Sequence, residues 1–182
     1  MRYIISCCFA LLLCGAPLAA QNNDPRLARE YFANGEYEKA AEIYKRLHEQ
    51  SRAHDYYYER YLTTLLELQD YKAADDMLKK AIKASPDKLE RYVDYGNLFE
   101  LQSQAEKAKE QYEKALKALP ADHVQIVKLA EAFNTRKKYD YAIAAYEKGE
   151  KLLKTKNAFA FELGGIYYQK GDQVSMITAY LD

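Results

Sequence analysis

The chain has no tryptophan and few helix breakers, with 7 glycines and 4 prolines in 182 residues. No Pro- or Gly-rich linker and no low-complexity segment divides it. It also lacks an excess of either charge. The 27 Lys and Arg balance 27 Asp and Glu, so no overall field favours nucleic acid or an anionic membrane surface. Cysteine is absent after position 14, since Cys7, Cys8 and Cys14 are the whole complement. Beyond that point the chain forms no disulfide and carries no thiol nucleophile. His48, His54 and His123 have no His, Cys or carboxylate partner at metal-ligand spacing. There is no Gly-rich phosphate loop and no nucleophile elbow, and adjacent acids such as Asp75-Asp76 point to different parts of a helix surface. The expectation is a chain that is not an enzyme and takes no metal or cofactor.

Residues 1–20 have the layout of a secretory signal peptide. Met1-Arg2 gives a positive start, Ile4 to Leu13 an apolar run, and Pro17-Leu18-Ala19-Ala20 a small-residue exit. The run is too short to span a bilayer in the mature protein, so no transmembrane helix is expected there. Cleavage is placed after Ala20, and the periplasm is the expected location. A bacterial lipobox has a small residue before its cysteine. Leu13 precedes Cys14 here, so an outer-membrane lipoprotein anchored through Cys14 is the weaker alternative. Removing the leader removes Arg2 and no acid, leaving 26 basic against 27 acidic side chains.

Tyrosine is abundant, with 18 residues. The stretch from Tyr92 to Pro120 shows how it is used. Tyr92, Tyr95, Gly96 and Phe99 fall at i, i+3, i+4 and i+7, one face of a helix. Ala108, Tyr112 and Ala115 form a second such face with small residues inside, and Pro120 ends it. Stepping by 34 residues divides the chain into 21–54, 55–88, 89–122, 123–156 and a partial 157–182, with no insertion. One position then reads Tyr31, Leu65, Phe99, Phe133 and Tyr167. A small position reads Ala40, Ala74, Ala108 and Ala142, and four residues on come Tyr44, Leu78, Tyr112 and Tyr146. Two antiparallel helices approach closely only where small residues face the partner's rings.

This alternation resembles the tetratricopeptide repeat, a 34-residue helix–turn–helix. The resemblance implies an all-α fold, a right-handed α-solenoid of antiparallel helix pairs (helix A and helix B of each repeat) over residues 21–182. Gly35 and Gly171 suit a left-handed residue closing helix A. Gln69, Ser103 and Lys137 stand at the same place and should each cost on the order of 1 kcal/mol. Pro86 and Pro120 end two repeats, whereas Arg52 and Lys154 hold that place in two others, so those junctions should be softer or differently angled. Leu62 occupies a small position and should push its helix pair apart slightly.

In this family the helix A surfaces line a concave groove. By repeat position that surface comprises Arg29, Tyr56, Glu59, Thr63, Asn97, Glu100, Glu131, Asn134, Phe161 and Tyr168, with Phe32, Glu67, Val93, Val127 and Gly165 beside them. The family's clamp for a peptide carboxylate is missing, because Val93 and Val124 stand where lysines belong, and a chaperone-tail adaptor is disfavoured. Tyr58 of the Tyr56-Tyr57-Tyr58 run takes a core position, leaving Tyr56 and Tyr57 to meet a ligand. Arg136-Lys137-Lys138, the dense basic run, reads as a solvated turn near a helix C-terminus and not as a nucleic-acid contact.

The expected function is a protein–protein interaction scaffold of the bacterial cell envelope, holding a partner's segment in the helix A groove. The alternative is the sensor or docking half of a larger protein whose catalytic or signalling module lies beyond Asp182. The last helix B stops short, leaving an apolar edge of Leu163, Tyr167 and Tyr180. From that edge come two further expectations: that the chain is a piece of a longer repeat protein, and that it self-associates through the uncapped repeat.

Overall fold

The computed structural model describes residues 25–51 and 54–181. The leader, its cysteines, Asp24 and Arg52 lie outside the described residues. Among the described residues ten α-helices form and no strand. They are α1 (Pro25–Ala33), α2 (Tyr37–Gln50), α3 (Asp55–Glu67), α4 (Tyr71–Ala84), α5 (Glu90–Leu101), α6 (Ala105–Ala118), α7 (His123–Thr135), α8 (Tyr139–Leu153), α9 (Ala160–Lys170) and α10 (Gln173–Leu181). The fold is all-α, and by repeat position helix A is α1, α3, α5, α7 and α9. The five B helices begin at Tyr37, Tyr71, Ala105, Tyr139 and Gln173, each 34 residues after the one before.

The turn inside each pair repeats bond for bond. Gly35, Gln69, Ser103, Lys137 and Gly171 all adopt positive φ, from 56° to 83°. Each of them donates its N–H three residues back, as from Ser103 to Glu100 at 2.8 Å. The next residue's N–H reaches five residues back to the helix A carbonyl, as from Gln104 to Phe99 at 2.8 Å and from Lys138 to Phe133 at 2.9 Å. This double hydrogen bond consumes carbonyls that the helix end leaves open. The same geometry therefore forms with or without glycine. Asp70 and Asp172 then cap the following helix, accepting from Ala73 N and Ser175 N at 3.0 Å each. Glu36, Gln104 and Lys138 make no such cap.

Contacts cluster into two units, divided between Thr64 and Leu65 within α3. In the first, Ala28, Ala40, Ile43, Tyr44 and Leu47 form the core, with Leu27, Tyr31, Phe32, Tyr57 and Tyr61 packed against it. Leu62 is buried at the edge of this unit. In the second unit α5 rests on α4, α7 on α5 and α9 on α8. In this unit α5, α7 and α9 therefore each lean on the repeat before it.

Close approach in the second unit depends on missing side chains. A Cβ on Gly149 would lie 2.5 Å from Ile126, and one on Gly164 would lie 2.4 Å from Tyr180. The two kinds of repeat junction differ. Before Pro120 the chain is extended at Leu119 (φ −59°, ψ 119°), as a following proline requires. Between α8 and α9, where proline is missing, Lys154 and Asn157 both turn through positive φ. The terminal edge departs from expectation. Leu163 is buried and Tyr167 half-buried, because the core of α7 and α8 covers them. The exposed apolar groups of α10 are Val174, Ile177, Tyr180 and Leu181.

Candidate partner-binding surface

The ten residues expected to line a groove fall in both units. In the first unit Arg29, Glu59 and Thr63 are exposed and Tyr56 is half-buried. Tyr56 is not an open platform. Its ring meets Tyr57 edge-on at 5.4 Å, His54 lies 6.2 Å away, and the Arg60 guanidinium sits over it at 5.3 Å. His48 is half-buried against Tyr58 and Tyr61, at 6.0 and 6.2 Å between ring centres. These rings satisfy one another.

The second unit carries Asn97 and Glu100 on α5, Glu131 and Asn134 on α7, and Phe161 and Tyr168 on α9; α5 packs against α7, and α9 against α8. Val93, expected beside them, is fully buried, because its side of α5 packs into the core with Tyr112 and Phe133. Glu100 is already committed. It pairs with Lys138, and Asp94 pairs with Arg136, so α5 is tied twice to the turn between α7 and α8. The basic run is thus a cross-repeat brace and not a solvated turn. Only Lys137 of the three is exposed. Asp94 sits 11% exposed and Arg136 29%, partly withdrawn from screening water.

The aromatic members of this set are open: on α9 Phe161 is 77% and Tyr168 72% exposed. They stand seven residues apart, two helical turns, with Gly165 between them on the same face. Phe161 leans on Tyr180 at 5.9 Å between ring centres. Glu131 and Glu162 approach from α7 and α9. Burial pushes the Tyr146 hydroxyl up to about 12, and these two carboxylates add to the shift by opposing a nearby tyrosinate.

Some buried polar groups give no signal in the periodicity. Arg91 is 4% exposed and donates to the Ala81 carbonyl at 2.7 Å, holding the end of α4. Lys148 does the same for α6 through Leu116 at 2.7 Å. Tyr95 donates to Asp75 at 2.7 Å, and Lys79 reaches the same carboxylate at 2.6 Å. Burial works to raise the Asp75 carboxyl, but these donors hold it below its ordinary value. Burial first, then the Asp75 bond, pushes Tyr95 up to about 12. Two open pockets of the second unit, one lined by Tyr71, Asp75, Tyr95 and Lys107 and one by Leu163, Tyr167 and Ser175, contain none of the ten residues.

Among the described residues, no group of three or more His, Cys, Asp or Glu side chains converges as metal ligands. Among the same residues, no helix is long and apolar enough to cross a membrane.

The tetratricopeptide repeat model matches residues 56–88 and 89–122. No curated protein matches the chain. Solved structures similar to it include MamA residues 41 to the end from Desulfovibrio magneticus RS-1, at 19% identity and a TM-score of 0.44, covering 91% of this chain and 93% of that one. Another is TTC0263, a thermophilic TPR protein of Thermus thermophilus, at 20% identity and a TM-score of 0.45, covering 89% of this chain and 88% of that one.

Proposed function

We propose that this chain, which belongs with the tetratricopeptide repeat proteins, is a non-enzymatic scaffold of the bacterial cell envelope that holds a segment of another protein on its helix A faces. The repeat matches over 56–88 and 89–122 support the scaffold role, since the repeat is a general protein-interaction module. The observation that carries the choice of surface is the pair Phe161 and Tyr168, both more than 70% exposed at groove positions of α9. Large rings left in water are costly, and aromatic anchors dominate interfaces.

The envelope assignment rests on the composition of residues 1–20, which reads as an export signal delivering the mature chain to the periplasm. Fractionation of cells expressing the full chain, with and without an Arg2→Glu change and a broken Ile4 to Leu13 run, tests it. Retention of the protein inside the cytoplasm in both cases contradicts export.

The partner reading is tested by pull-down from envelope extract with the wild type and a Phe161→Ala/Tyr168→Ala variant. The partner should be captured by the first and lost from the second at equal folding. Equal capture by both contradicts this choice of surface.

A further inference from the structure

Most glycines of the second unit have a visible reason to be glycine. At Gly149 and Gly164 an added Cβ would collide with a neighbouring side chain, and Gly171 turns through a φ of +83°. Gly165 has neither reason. It lies inside α9, its φ is not positive, and a Cβ built on it meets nothing within 4 Å. A glycine inside a helix costs stability relative to alanine. The same repeat position carries Arg29, Thr63, Asn97 and Glu131 elsewhere, so bulk is ordinary there. A backbone left bare at such a cost is what close approach by another molecule requires.

The neighbours say what would approach. Phe161 and Tyr168 stand on either side of Gly165, four residues before and three after, both largely exposed, and Tyr180 supports Phe161 from behind. Two exposed rings thus flank a bare stretch of helix backbone, which we read as a slot with aromatic walls and a peptide-backbone floor. Glu162 stands three residues before Gly165 on α9, and Glu131 holds on α7 the repeat position that Gly165 holds on α9; both act on the Tyr146 hydroxyl, and neither has an ion-pair partner among the described residues. The slot is therefore apolar with an unneutralised acidic flank. We infer that the Phe161–Gly165–Tyr168 slot takes one bulky apolar side chain of a partner segment, with a lysine or arginine of the same segment set against Glu131 and Glu162. This rests on the reading of the helix A faces as the partner surface and names the class of segment they select.

The test pans a random dodecapeptide display library on the full chain. The enriched peptide is then synthesised with a fluorescent label and titrated by anisotropy. Enriched sequences should place a bulky apolar residue beside Lys or Arg. The Kd should rise about tenfold or more in Gly165→Leu, which fills the slot, and in Glu131→Gln/Glu162→Gln. Melting controls separate filling from unfolding, because Gly165→Ala and Gly165→Leu should melt no lower than wild type. A drop in melting temperature for Gly165→Ala overturns the inference, and so does enrichment of acidic peptides. A binder weakened by Asn97→Ala but indifferent to Gly165→Leu overturns the slot while leaving the helix A surface standing. No binder, or one indifferent to every helix A variant, overturns both.

Discussion

Gly96 lies directly beneath the ring of Tyr112, so close that an added Cβ would stand 2.1 Å from Tyr112 Cε1. The ring is buried, meets Phe133 edge-on at 5.5 Å, and has Tyr141 5.0 Å away. One bare helix surface thus lets a helix B tyrosine wedge between α5 and α7. Two repeats later Gly164 and Tyr180 repeat the arrangement.

Gly96→Ala should therefore destabilise the chain, by about 1–3 kcal/mol for an overpacked core. Chemical denaturation of Gly96→Ala, Tyr112→Leu and the double variant measures it. The double variant should lose less than the sum of the singles, because the smaller partner makes room for the methyl group. Strict additivity would mean that the two residues do not share one contact.

The positive φ at Ser103 and Lys137 puts side chains where the left-handed backbone disfavours them. Ser103→Gly and Lys137→Gly should each stabilise by about 0.5–1 kcal/mol, the steric relief exceeding glycine's entropy cost. Denaturation midpoints check this. Gly35→Ser should move the other way by a similar amount.

Glu100 and Asp94 fasten α5 to the turn after α7 through Lys138 and Arg136. Glu100→Ala should cost about 0.5–1 kcal/mol, as half-exposed pairs do. Asp94→Ala should cost more, about 1–3 kcal/mol, because Asp94 is the less exposed acid and leaves its guanidinium without that partner. Denaturation at low and high salt checks the order, with the Glu100→Ala effect shrinking more in salt.

Tyr95 and Tyr146 are both pushed up to about 12 from an ordinary value of 10. A folded value above the unfolded one stabilises the native state fully below pH 10, and that share is lost as pH rises from 10 through about 12. Melting temperature should therefore fall across this interval. Tyr95→Phe should flatten the fall, at the expense of stability at neutral pH where its bond to Asp75 is intact. An unchanged alkaline slope in Tyr95→Phe would count against the assignment.

The helices, their 34-residue register and the close contacts were legible because each depends on residue size at a fixed repeat position. Gln69, Ser103 and Lys137 could be placed in the left-handed turn although none is glycine, since the register alone locates them. The braces were not legible. Arg136 and Asp94 are 42 residues apart, and their meeting depends on how successive pairs stack, which spacing alone does not give. Arg91 looks like a surface cation in the sequence, yet it is buried because the end of α4 offers it a carbonyl. Val93 was misplaced for a related reason. Its position is lined up with exposed Phe161 by register, but α5 has neighbours on both sides and α9 does not have the same cover. Of the surface itself, membership by position could be read from the repeat. Which members remain open depended on an ion pair at Glu100, ring contacts at Tyr56 and core packing at Val93.

The most direct test of the helix A faces as the partner surface is site-specific photo-crosslinking in envelope extract. Benzoylphenylalanine at Phe161 or Glu131 should yield a discrete protein adduct, while the same group at exposed Lys80 of α4, a helix B residue, should yield none. An adduct from Lys80, with nothing captured from Phe161 or Glu131, would contradict it.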